Sequence, residues 1–237
     1  MKKQNEITTT TKRLPYSNEE LERMFRHLSP ELLPNWSPHK LFIPALALYN
    51  GLRMSEACQL QMDNIVLANG IPCIQVKRDI EAGCTLKNMA SARIIPIHPV
   101  LLQLGFLKCV HAEGGQLWPE LKYSATQGYS QQFMKFFGCF NRKYVTQDAN
   151  KAFHSLRINF VECLRQMTVS EEVARRLTGL AGESMTFSRY NSVRLEDILE
   201  SLRKMDYALD IFALTGIEPL SSEEIVEQIK QFPEHSA

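Results

Sequence analysis

Residues 64–76 read "NIVLANGIPCIQV", and this stretch decides the fold class. Two apolar runs rich in β-branched residues flank Asn69-Gly70. That dipeptide accepts positive φ at both central positions of a two-residue hairpin turn, which is what a right-twisted strand pair requires. A third apolar run, "ARIIPIH" at 92–98, follows a polar turn that holds Lys87. The expectation is a small antiparallel β-sheet inserted in a helical protein.

The flanks are helical by period. Ser17 and Glu20 have capping-box spacing, and Leu21, Met24, Phe25 and Leu28 follow as an i, i+3, i+4, i+7 stripe. Ser37-Pro38 opens a second helix through "LFIPALALYNG", with Pro44 expected to bend it and Gly51 placed to end it. Beyond the sheet, helices are expected in "PVLLQLGFLKCV" (99–110), in "SQQFMKFFGCFNRKY" (130–144, Ser130 as cap) and in "SLRINFVECLRQM" (155–167). A short helix begins at Ser170 with Glu171 and Glu172, and another carries Leu195, Ile198, Leu199 and Leu202. The acidic "SSEEIVEQIKQF" (221–232) forms a last amphipathic helix with Ile225, Val226, Ile229 and Phe232 on one face. That stripe needs an apolar partner, either its own domain or a neighbouring protomer. The class is α+β, mainly α-helical.

At 237 residues and 44% hydrophobic content, the chain fits one domain with appendages. Net charge is +1, so there is no bulk basic signature for nucleic acid, but its distribution is uneven. Residues 218–237 hold five Glu and one Lys, a net of −4, which leaves about +5 for the rest. Residues 1–16, with Lys2, Lys3, Lys12 and Arg13, read as a basic flexible arm, 17–217 as the main domain and 218–237 as an acidic helix and tail. The six cysteines show no CxxC pair and no Cys/His cluster, so no metal site is expected and most should be buried. The sequence opens without a signal peptide, and no apolar run approaches the ~18 residues of a membrane span. The expected setting is reducing and cytoplasmic, without a membrane partner.

Four clusters carry candidate chemistry. In "NGLRMSEACQL" (50–60), Arg53 follows a helix-ending glycine and Glu56 lies one helical turn on. "TLKNMASAR" (85–93) presents Lys87, "FHSLR" (153–157) sets His154 and Arg157 on one helix face, and "FSRY" (187–190) ends in Tyr190. Singly, each has a plainer reading: a surface ion pair, a solvated lysine, a helix-capping histidine, a half-buried aromatic. Together they form the inventory needed to break a phosphodiester without a metal.

In this order the clusters resemble the catalytic domain of the tyrosine recombinase (phage integrase) family, over nearly all of residues 17–207. "LALYNGLRMSEACQLQMDNI" (46–65) resembles the first arginine box, and "LKNMASARIIPIHP" (86–99) the β-hairpin lysine segment. "FHSLRINFVECL" (153–164) resembles the His-x-x-Arg box, and "GESMTFSRYN" (182–191) the approach to the nucleophilic tyrosine. The resemblance implies the DNA breaking-rejoining fold and attack by Tyr190 on a scissile phosphate, leaving a 3′-phosphotyrosine. Arg53 and Arg157 would hold the non-bridging oxygens, Lys87 would protonate the departing 5′-oxygen and His154 would assist removal of the tyrosine proton. Glu56 would orient Arg53. No cofactor is implied. The partner is double-stranded DNA, with self-assembly to a tetramer in synapsis from a free monomer or weak oligomer.

Two departures stand against this pattern. Family members usually carry a helical core-binding domain ahead of the catalytic one, whereas here residues 1–16 precede the first helix; the expectation is a natural short form or an excised fragment. After "LTG", where the family usually has a histidine or tryptophan donor, this chain has Leu180, which donates nothing. Both favour the alternative of a catalytically weakened DNA-binding relative, which the retained Arg53, Lys87, His154, Arg157 and Tyr190 oppose. A type IB topoisomerase-like enzyme shares the chemistry, but the boxes look more like those of integrases.

Overall fold

The computed structural model describes residues 12–77, 92–110, 115–179 and 193–232. Helix α1 (Asn18–His27) starts on the capping box expected at Ser17 and Glu20, and its stripe from Leu21 to Leu28 is buried. Helix α2 (Pro38–Tyr49) runs through Pro44 and is buried on every side from Leu41 to Tyr49, as a helix apolar all round must be. Ser37 does not cap it; its hydroxyl lies 2.9 Å from His39 Nδ1 instead. The chain turns at Gly51 into the short helix α3 (Met54–Cys58).

The sheet follows as expected. Strands β1 (Ile65–Ala68), β2 (Ile71–Val76) and β3 (Arg93–Pro96) form an antiparallel meander, with Ala68 paired to Ile71 across the turn and Ile74 to Ile95 on the far side. Asn69 and Gly70 both have positive φ, the hairpin geometry their sequence favours.

Beyond the sheet the helices depart from the sequence reading at several points. The run 99–110 is not one helix: α4 (Pro99–Gln103) stops before Gly105, and a single 3₁₀ turn covers Phe106–Cys109. In α5 (Ser130–Phe140) Ser130 is the first helical residue rather than the cap, and its hydroxyl donates to Gln127 O at 2.8 Å. Helix α6 (Phe153–Gln166) packs on α2, and α7 (Glu171–Thr178) is capped by the Ser170 hydroxyl accepting from Val173 N–H. Helices α8 (Leu195–Arg203), α9 (Ile211–Thr215) and α10 (Ser222–Ile229) complete the described chain. Helix α9, which periodicity did not reveal, packs against α1.

Near the start the chain joins the fold further than expected, and near the end the apolar stripe takes the first of its two expected partners. Residues 13–16, assigned from sequence to a flexible arm, are tied down: Tyr16 is buried with its hydroxyl 2.9 Å from Asn141 Oδ1, and Asn159 both donates to Tyr16 O and accepts from its N–H. At the other end, Ile229 and Phe232 pack on the domain's own core while Val226 stays half exposed. Of the cysteines, Cys58, Cys73 and Cys163 are buried, but Cys139 is exposed. Among the described residues, no helix is long and apolar enough to cross a membrane.

His98 gives the fold a pH dependence. It caps α4, with Nδ1 accepting from Val100 N–H at 3.1 Å, and it is 2% exposed. Burial lowers its pKa to about 4, against a smaller opposing pull from the Leu202 carbonyl. With the folded pKa below the unfolded one, the unfolded chain binds a proton first as pH falls. His98's contribution is therefore complete above the ordinary histidine value near 6.5 and is lost between that value and pH 4. At 1.36 kcal/mol per pKa unit the full loss is on the order of 3 kcal/mol. His39, also lowered by burial, acts in the same direction. Urea unfolding at pH 7 and pH 4.5 should show this loss, and His98→Asn, which keeps an N-cap acceptor, should flatten it. An unchanged slope in that variant would assign the acid sensitivity elsewhere.

Candidate active site

Gly51 sets up the first part of the site. Its φ of +65° suits glycine, and a Cβ there would stand 2.4 Å from Phe160 Cδ1 on α6. This close approach brings the start of α3 against α6, so that the Arg157 side chain can donate to Gly51 O. Gly51→Ala is expected to lose about 2–4 kcal/mol of stability, from left-handed strain plus overpacking. Denaturant unfolding should show the midpoint fall without a change in slope, and a midpoint equal to the parent's would contradict this account.

Arg53 is the N-cap residue of α3, with extended backbone, so its side chain leaves the helix start rather than its flank. Glu56, in the first turn, accepts from Arg53 N–H at 2.9 Å and from Arg53 Nη1 at 2.6 Å. The i, i+3 pairing expected from the sequence is therefore present, and it is no surface pair: Glu56 is 4% exposed. Arg53 Nη2 also donates to Gly179 O at 3.4 Å.

Arg157, on the core-facing side of α6, is buried and donates through Nη1 to Gly51 O and through Nη2 to Thr178 O. The two arginines thus bind neighbouring carbonyls at the end of α7, which stops at Gly179 in left-handed conformation. Burial lowers the Arg157 pKa to about 10, with positive Arg53 and Arg93 adding to the effect and Glu56 opposing it. The group stays charged at neutral pH. His154 lies one helical turn before Arg157 and is exposed at the surface. The structure therefore assembles Arg53, Glu56 and Arg157 and leaves His154 exposed outside that set of contacts; Lys87, Leu180 and Tyr190 lie outside the described residues.

Arg93, which opens β3, was missed from sequence. Its guanidinium lies on Glu56, with Nη1 3.2 Å from Oε1 and Nη2 3.0 Å from Oε2, and Nε donates to Leu177 O at 3.1 Å. A signal was available. Strand alternation puts Arg93 on the same face as Ile95, and a charge on a buried strand face requires a partner. Burial alone would push the Glu56 carboxyl up, but Arg93, with further help from Arg53, holds it below the usual range.

Among the described residues the cluster holds three guanidinium groups and one carboxylate, a local surplus of two positive charges. Such a surplus, fixed before any ligand arrives, fits an anion with planar or tetrahedral oxygens and strengthens as negative charge develops.

Residues 12–196 match the family described as the Phage integrase family. No curated protein and no solved structure gave a match. A match over so much of the sequence, together with a mainly helical fold around a three-stranded antiparallel sheet, leads to one conclusion: this chain belongs to the phage integrase family.

Proposed function

We propose that this protein is a site-specific DNA recombinase that cleaves and rejoins strands through a 3′-phosphotyrosine intermediate. The observation that carries the reading is the convergence of Arg53 and Arg157, from two separate helices, on the Thr178 and Gly179 carbonyls beside a single ion-paired carboxylate. Tyr190 follows Gly179 by eleven positions in the sequence, so the turn that both arginines bind and the nucleophile belong to one contiguous stretch.

In this reading the Tyr190 hydroxyl oxygen attacks phosphorus, and its proton passes toward His154. The bond to the 5′-oxygen breaks, and Lys87 supplies the proton that makes the 5′-hydroxyl. Arg53 and Arg157 bind the non-bridging oxygens as charge builds on them, each with N–H donors beyond those already given to carbonyls. Rejoining runs the same steps backward with a different 5′-hydroxyl, so no external energy source is required. Double-stranded DNA is the partner, and exchange between two sites needs assembly of several copies.

The test is to incubate the chain, with EDTA present, with a pool of nicked duplexes that release a short 5′-hydroxyl fragment after cleavage. A covalent protein–DNA adduct whose linkage maps to Tyr190 by peptide mass is the expected product. Specific DNA retention without any adduct would instead support a binding protein that keeps the fold.

A further inference from the structure

Arg93 belongs to none of the roles assigned above, yet its side chain is as enclosed as the carboxylate it meets, at 3% exposed against 4% for Glu56. Its fork takes one lone pair from each oxygen of Glu56, at 3.2 and 3.0 Å. The remaining acceptance goes to Arg53: Oε1 receives Arg53 Nη1 at 2.6 Å, and Oε2 receives the Arg53 backbone N–H at 2.9 Å. A carboxylate offers about four acceptor sites, and here Arg93 and Arg53 divide them evenly. Arg93 thus grips the carboxylate that in turn grips Arg53, one guanidinium on each side of it. Arg93 reaches α7 as well. Its Nε binds Leu177 O, and a Cβ on Gly179 would come within 2.9 Å of its Nη1. The same Gly179 carbonyl receives Arg53 Nη2.

We propose that Arg93 is a positioning residue, which fixes the Arg53 guanidinium through Glu56 and ties the start of β3 to the last turn of α7. This rests on the reading of Arg53 as a phosphate ligand. Lysine cannot replace the fork, because one ammonium cannot span both Glu56 oxygens and Leu177 O in a fixed plane. A ligand displaced by about an ångström can lower a rate by about 10²-fold, so a large kinetic effect is expected from a residue enclosed behind Glu56.

The experiment compares the parent with Arg93→Lys and with the double variant Arg93→Met/Glu56→Gln, which leaves no buried carboxylate uncompensated if the single change fails to fold. Single-turnover adduct formation is measured on a nicked duplex with an ordinary scissile phosphodiester and on one with a methylphosphonate, which lacks one non-bridging charge. DNA affinity and the Arg53 Nε–Hε NMR signal are followed in parallel. Cleavage of the ordinary duplex should fall about 10–100-fold. The loss should shrink on the methylphosphonate, where Arg53 has less charge to balance, and the Arg53 signal should shift with little change in affinity. An equal loss on both duplexes, or an unmoved Arg53 signal, would overturn the proposal. Should the parent form no adduct on any duplex, the recombinase reading fails by itself. The Arg53 signal then still decides whether Arg93 sets that side chain.

Discussion

Tyr190→Phe is expected to form no covalent adduct on a nicked duplex while binding the same DNA within about twofold of the parent, since phosphate contacts elsewhere supply most of the affinity. The change removes one hydroxyl oxygen and leaves the ring. If that oxygen is the nucleophile, no path remains to a phosphotyrosine, and the loss is complete rather than graded. Gel separation of adduct under denaturing conditions, beside an equilibrium binding curve, measures both quantities in one preparation. An adduct that persists in the variant would place the nucleophile at another residue and remove the central assignment.

The second large effect is expected at Arg157. Arg157→Lys keeps the positive charge but gives up the planar fork that reaches Gly51 O and Thr178 O together. Losing a preorganised donor from a site where an oxyanion develops typically costs about 10²–10³ in rate. One of the two buried carbonyls also loses its donor, which adds about 1–3 kcal/mol of destabilisation. The two effects separate experimentally. Single-turnover cleavage well below the unfolding range reports the first, and a melting curve reports the second. A variant that cleaves at the parent's rate despite a lowered melting temperature would make Arg157 a structural clamp between α6 and α7 and nothing more.

Much of this molecule was legible in the residues alone, because the signals were local. The capping box at Ser17 and Glu20, the Asn69-Gly70 hairpin and the stripe of α1 each depend on neighbours within a few positions, and each formed as read. The Arg53–Glu56 pairing is local too, one turn of a short helix. The misreadings arose where the sequence offered two outlets for one group. The Ser130 hydroxyl could cap a helix or bond the preceding turn, and the tertiary course of the chain gave it Gln127 O. Residues 13–16 have the composition of an arm, but the Asn141 and Asn159 side chains lie where Tyr16 can bond them, and burial of the tyrosine ring favours order over freedom.

By itself, then, the sequence determined the fold class, the family and the Arg53–Glu56 pairing, since these rest on patterns carried by contiguous residues. Only the tertiary structure decided that Glu56 is shared. Arg93 lies 37 positions from it along the chain, and no period or motif joins a strand opening to a helix first turn. Their pairing follows from the fold enclosing both: a buried carboxylate and a buried guanidinium are each costly alone, so the packing that excludes water from this cluster also requires that they meet.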